Sequence, residues 1–177
     1  MRWLANRPNN IILISDADEL LDSDSVMGLN FRLLDCVKPR LRFYYYCLTC
    51  GIGTWSMQTL FNSSGRWFHN VSAAESYSDI RFPDGCRESA ELMGWHVSYA
   101  LTTAEIINKL ESFSHVNDNF VLELLRDPQR EHLIKERVRN CQDIFVREWK
   151  IPLAPDIDPK TPPLRGMPSH ESCHVPM

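Results

Sequence analysis

The chain has no long apolar run. No stretch of it reaches the roughly 18 apolar residues that a membrane span needs. Its first residues, Met1-Arg2-Trp3-Leu4-Ala5-Asn6-Arg7-Pro8, are too polar for the apolar segment of a secretory signal. A soluble chain with no membrane span and no targeting segment of its own is therefore expected. A surplus of positive charge is missing too. With 19 Lys and Arg against 23 Asp and Glu, the net charge is -4, so there is no basic footprint and no nucleic-acid partner is expected. Cys47 and Cys50 form a Cys-x-x-Cys, but no second pair and no His-x-x-x-His follows at zinc-site spacing, which favours ordinary strand cysteines over structural zinc. There is no internal repeat.

What is present fits one folded unit. At 177 residues and 44% hydrophobic content the chain can bury one core and is short for two. Residues 1–151 carry periodic segments. Residues 152–177 hold seven of the 11 prolines and no periodicity, so they read as an irregular tail. The six cysteines, Cys36, Cys47, Cys50, Cys86, Cys141 and Cys173, are scattered, and their spacing fits either reduced thiols or disulfides. Asn62 and Asn70 begin Asn-x-Ser sequons, which accept glycans only in a secretory compartment.

Ile11-Ile12-Leu13-Ile14 is a β-branched apolar run that ends in acids, and it predicts a strand buried on both faces, as in a parallel sheet. Val26, Leu29, Leu33, Leu34 and Val37 recur at helical spacing, with Ser23 or Ser25 as N-cap and Pro39 beyond, which predicts a helix over 25–37. Residues 41–48 and 54–60 are strand-like by aromatic and β-branched content, with Gly51 and Gly53 between them. Residues 62–90 read as loops around short elements. Along 94–101, Trp95, Val97, Tyr99 and Leu101 alternate with His96, Ser98 and Ala100, placing His96 away from the bulky apolar face. Thr102-Thr103-Ala104-Glu105 has capping-box spacing and predicts a helix starting near Thr103. Asp127-Pro128 predicts another, with Asp127 as N-cap and Pro128 at the first helical position.

The chemistry concentrates in Asp16-Ala17-Asp18-Glu19. A strand ending in Asp-x-Asp presents two carboxylates at a sheet edge, where open α/β folds bind ligands. Such hard oxygens suit Mg²⁺ or Mn²⁺, and the ion can bridge a diphosphate. The bland reading is a solvated acidic turn. A different enzyme class, the haloacid-dehalogenase-like phosphatases, also follows an apolar strand with Asp-x-Asp, with Asp16 as nucleophile and Asp18 as acid/base. Against that, Glu19-Leu20-Leu21 follows the pair where a small residue and Thr or Val are wanted.

Taken together and in this order, Asp16-Ala17-Asp18-Glu19, Gly94-Trp95-His96-Val97-Ser98-Tyr99 and Ile106-Ile107-Asn108-Lys109-Leu110-Glu111-Ser112-Phe113-Ser114-His115 resemble glycosyltransferase family 17. The resemblance covers about residues 8–148, with added support from the aromatics between Tyr44 and Trp55 and from Asp143-Ile144-Phe145-Val146-Arg147. It implies an α/β, GT-A-like (Rossmann-related) nucleotide-sugar transferase fold with a mixed sheet flanked by helices. The implied reaction is inverting transfer of N-acetylglucosamine from UDP-N-acetylglucosamine to a mannose-containing glycan, as in β-1,4-mannosyl-glycoprotein 4-β-N-acetylglucosaminyltransferase activity, assisted by a divalent metal.

Carried over by position, Asp16 and Asp18 face the metal and diphosphate, Glu19 is the following acid, and Asp24 matches a further acid of the motif. Asp24 equally suits the first turn of a helix. His96 is the third candidate metal ligand beside Asp16 and Asp18, and an imidazole there favours Mn²⁺ over Mg²⁺. The alternative for His96 is a histidine bonded to backbone. Trp95 is a core anchor or a sugar platform. Lys109 and His115 reach phosphate or lie on a solvated helix face. Glu75, Asp79, Asp84, Glu88 and Glu91 are unranked candidates for the general base.

The sequence departs from the family in two ways. Leu20-Leu21 stands where members continue Ile-Pro, and only ten residues precede the first strand, while the family places further strands and helices there. The chain is thus expected to be the C-terminal portion of a longer protein, with an inactive interaction or glycan-binding module as the alternative to an enzyme. The resemblance implies the Golgi for a eukaryotic parent and the cytoplasm for a bacterial one.

Overall fold

A computed structural model describes residues 10–30, 36–62, 85–113 and 117–145. The tail at 152–177, the loop candidates Glu75, Asp79 and Asp84, and His115 lie outside the described residues. The chain is α/β, with a six-stranded sheet in the order β1-β5-β3-β6-β2, and β4 pairing with β3. The strands are β1 (Ile11–Ile14), β2 (Glu19–Leu21), β3 (Cys36–Tyr45), β4 (Gly51–Trp55), β5 (Thr59–Asn62) and β6 (Arg87–Ser98). The described helices are α1 (Ser23–Met27), α2 (Thr103–Ser112), α3 (Asn119–Arg126) and α4 (Arg130–Arg139). None of them is long and apolar enough to cross a membrane.

By their contacts the residues form two compact units, Met1–Arg42 with Thr54–His96, and Phe43–Gly53 with Val97–Met177. In the first, β1 runs antiparallel to β5 (Ile12 opposite Phe61, Ile14 opposite Thr59), and β5 runs antiparallel to β3 (Val37 opposite Leu60). The two-sided burial expected for β1 is corrected here. β1 ends the strand order, and Ile11 and Leu13 are 42% and 40% exposed, so only Ile12 and Ile14 pack on the interior around Cys36 and Phe61. Its partner is antiparallel, and antiparallel sheets readily keep one solvated face.

The helix expected over 25–37 is corrected as well. α1 stops at Met27, its N-cap is Asp22 rather than Ser23 or Ser25, and Val37 and Pro39 belong to β3. Asp22 Oδ2 accepts from Ser25 N at 3.0 Å and Ser25 Oγ at 2.6 Å. Pro39 is tolerated in β3 because the ladder is irregular there: Arg40 N donates to the side-chain oxygen of Ser89 at 2.9 Å. A disulfide joins Cys36, at the start of β3, to Cys86, just before β6. The strand expected over 54–60 is two strands, broken between Trp55 and Thr59.

In the second unit, α2 begins where the capping box predicts. Thr102 accepts from Glu105 N, and Glu105 Oε2 accepts from Thr102 N at 2.8 Å. The Thr102 hydroxyl also donates to Glu105 Oε2 at 2.7 Å, and this bond, with the one from Thr102 N, holds the exposed Glu105 carboxyl below its ordinary pKa. The start of α4 lies later than Asp127-Pro128: Asp127 instead caps a turn, accepting from Gln129 N at 2.7 Å, and the helix runs from Arg130. The sequence reading assigns no element to α3, although Val121 and Leu124 are buried on it. Helices α2, α3 and α4 lie against one another, and Ile106, Leu110, Val121, Leu124, Ile134 and Val138 on them are buried.

The described cysteines of this unit are oxidised. Cys50 is bonded to Cys141, and Cys47, whose sulfur is 3.5 Å from that of Cys50, is disulfide-bonded too, which removes both readings of the Cys-x-x-Cys as zinc ligands or strand thiols.

Tyr46 follows β3 in a left-handed conformation (φ 61°) and donates its hydroxyl to Gln142 O at 2.7 Å. Burial, and then the neighbouring Tyr45 and Asp143, push its phenol far above the ordinary value of 10. The folded state therefore holds the proton at pH values where the unfolded chain releases it, so this stabilisation is complete below about pH 10 and is lost as pH rises beyond it. Urea denaturation at pH 9 and pH 11 is expected to show a fall in stability that is smaller in Tyr46→Phe. An equal fall in both proteins would remove Tyr46 as its source.

Candidate functional site

The acidic run forms a tight turn between β1 and β2. Glu19 N donates to Asp16 O at 3.2 Å, and Asp16 N donates to Glu19 Oε2 at 2.7 Å, so the turn is closed from both sides. The local reason is the spacing: an acid three residues after Asp16 reaches back to its N–H, as a capping acid does at a helix start. Asp16 and Ala17 are exposed, Asp18 is partly so, and Glu19 is 4% exposed.

β2 runs antiparallel to β6 with Glu19 opposite His96, Leu20 opposite Trp95 and Leu21 opposite Gly94. That register brings the histidine to the acidic turn. His96 Nε2 lies 3.6 Å from Asp18 Oδ1, and its side chain is 6% exposed against 27% for Asp18. Trp95 and His96 alternate along β6 and both are buried, so the imidazole, although on the face away from the bulky apolar residues, is itself covered.

Trp55, at the end of β4, completes the group. Its indole Nε1 donates to Glu19 Oε1 at 2.5 Å, and its ring meets His96 edge to face at 4.6 Å between centroids. The buried Glu19 thus has a donor on each oxygen, which offsets the cost of removing a carboxylate from water. The sequence marks Trp55 only as a strand aromatic, because nothing local signals a contact between residues 36 apart in the chain.

Among the described contacts, Asp16, Asp18, Glu19 and His96 form one connected group, and none of these contacts joins Asp24 to it. Asp24 is exposed in the first turn of α1, where the helix dipole favours an acid. Trp95 is 6% exposed, a core residue rather than a sugar platform. Lys109 Nζ sits 4.4 Å from the centroid of the Tyr99 ring. Of the candidate bases, Glu91 is exposed on β6 and Glu88 accepts from Ser56 Oγ at 2.6 Å.

Among the described residues no group of three or more His, Cys, Asp or Glu is placed to hold a metal ion, and what the acidic turn offers is the pair Asp18 and His96. Two atoms that each lie about 2.1 Å from one metal are at most about 4.2 Å apart, and Asp18 Oδ1 and His96 Nε2 are within that limit at 3.6 Å. A carboxylate oxygen beside an imidazole nitrogen is a mixed donor pair, of the kind that suits Mn²⁺ better than Mg²⁺. Compared with known protein families, with curated proteins and with solved structures, the chain matches none of them.

Proposed function

We propose that this chain carries the metal and diphosphate edge of an inverting glycosyltransferase that moves N-acetylglucosamine from UDP-N-acetylglucosamine to a mannose-containing glycan. The observation that carries the reading is the approach of His96 Nε2 to Asp18 Oδ1 at 3.6 Å. Asp-x-Asp alone fits several chemistries, and a buried imidazole brought to its second carboxylate is what a metal site needs.

In this reading Asp18 and His96 would hold the ion, with the exposed Asp16 as the further acid of the motif. The chemistry that Mn²⁺ would supply there, when bound, is to offset negative charge building on the departing nucleoside diphosphate. Trp55 and the β2–β6 ladder exclude water from the inner side of His96, which strengthens its electrostatic contacts. The phosphatase reading gives His96 no role and is the weaker one.

The Cys36–Cys86 and Cys50–Cys141 disulfides support an oxidising compartment, in keeping with the Golgi rather than the cytoplasm.

Calorimetric titration of the folded chain with Mn²⁺, and then with UDP-N-acetylglucosamine, tests the proposal. Saturable metal binding, followed by nucleotide-sugar binding that vanishes on chelation, is the expected result. A folded chain that binds neither is an interaction module, and the enzyme reading falls.

A further inference from the structure

We infer that Glu19 and Trp55 are positioning residues for the Asp18 and His96 pair, and that Glu19 is not itself a metal ligand. This deepens the proposed function and rests on it for its metal-binding half.

The first argument is the orientation of the carboxylate. Glu19 is 4% exposed, its Oε2 accepts from Asp16 N at 2.7 Å, and its Oε1 accepts from Trp55 Nε1 at 2.5 Å. A carboxylate turned into protein, with an N–H on each oxygen, is already engaged in the role that second-layer acids play at metal sites. The neighbouring Asp16 is exposed and Asp18 partly so, unlike Glu19.

The second argument is what those two bonds hold. The bond from Asp16 N, with the return bond from Glu19 N to Asp16 O at 3.2 Å, fixes the turn that carries Asp18. The bond from Trp55 fixes the indole whose ring meets His96 at 4.6 Å and 78°. Glu19 also stands opposite His96 in the ladder between β2 and β6. One buried carboxylate therefore ties down both members of the pair: Asp18 through the turn, and His96 through the indole and the strand register. A pair held in place before the ion arrives loses less conformational freedom on binding it.

Glu19→Gln, Trp55→Phe and the double variant separate the possibilities, with far-ultraviolet circular dichroism confirming that each is folded. In the metal-free protein, hydrogen exchange at the Asp16 amide is expected to speed up at least about 10-fold in Glu19→Gln, because that N–H loses its charged acceptor. Unchanged exchange there overturns the locking of the turn.

Mn²⁺ affinity, read by the loss of the free-ion paramagnetic resonance signal, is expected to fall about 10-fold in each single variant, within the range for a supporting residue. The double variant is expected to fall no further than the worse single one, because the two side chains act through one bond. If Glu19→Gln abolishes binding while Trp55→Phe leaves it unchanged, Glu19 is a ligand and the inference is wrong. If neither variant changes affinity although Asp16 exchange rises, the two residues serve the turn alone and the positioning role is refuted. A wild-type chain that binds no Mn²⁺ sinks the proposed function, while the Asp16 exchange still decides whether Glu19 locks the turn.

Discussion

Gly94→Ala is expected to destabilise the chain by about 3 kcal/mol or more and to lower its Mn²⁺ affinity at least about 10-fold. Gly94 has φ 155°, which side chains disfavour, and a Cβ built there lies 2.0 Å from Leu20 O and 2.9 Å from Leu21 Cα. Both atoms belong to the backbone of β2, so no side-chain rotation relieves the overlap. The strand itself must withdraw by about 1 Å, and close packing leaves it little room to do so.

β2 is also what brings the acids to the histidine. Leu21 is opposite Gly94, Glu19 is opposite His96, and Asp22 N donates to Met93 O at 2.8 Å just beyond. A displaced β2 therefore carries Asp18 away from His96. Urea denaturation and Mn²⁺ titration of the same protein check both halves. A variant within about 0.5 kcal/mol of the parent would show that the sheet absorbs a methyl group there.

The second large effect is expected at the proposed metal pair, Asp18 and His96. Asp18→Asn and His96→Gln each keep a polar side chain of similar size but remove an anionic oxygen or an imidazole donor. Each is expected to reduce Mn²⁺ affinity on the order of 100-fold, the upper end of what losing even a supporting group costs. His96→Gln should also narrow the preference for Mn²⁺ over Mg²⁺, because an amide oxygen is the harder donor. Asp24→Asn serves as the control. Asp24 is exposed on α1, and an unchanged affinity there would separate the turn from the general acidity of this region. Equal losses at Asp18 and Asp24 would instead indicate diffuse electrostatic attraction and remove the case for a defined site.

Features fixed by short-range physics were legible in the sequence. The capping box at Thr102 and Glu105 is a three-residue relation, and α2 begins there. The run Ile11–Ile14 is β-branched and bounded by polar residues, and it is a strand. Errors came where tertiary contacts override local spacing. Val37 fits a helical period with Leu33 and Leu34, yet it pairs with Leu60 in β3, and a disulfide fixes Cys36 beside it. Asp127 has the chemistry of an N-cap, but it caps a turn, and α4 starts at Arg130.

Local residue order is enough to place Asp16, Ala17, Asp18 and Glu19 after an apolar strand, and Gly94-Trp95-His96 in a second strand-like segment. That these segments meet is a property of the folded chain alone. The ladder between β2 and β6 is a long-range pairing that no spacing within either segment encodes, and it depends on a glycine that lets two backbones approach. The structure also gave the acids unlike environments: Glu19 is turned inward by an indole from a third strand, while Asp16 and Asp18 stay near solvent. Three acids that read as one cluster thus divide by burial, because a charge taken out of water needs protein donors while one near solvent keeps its hydration.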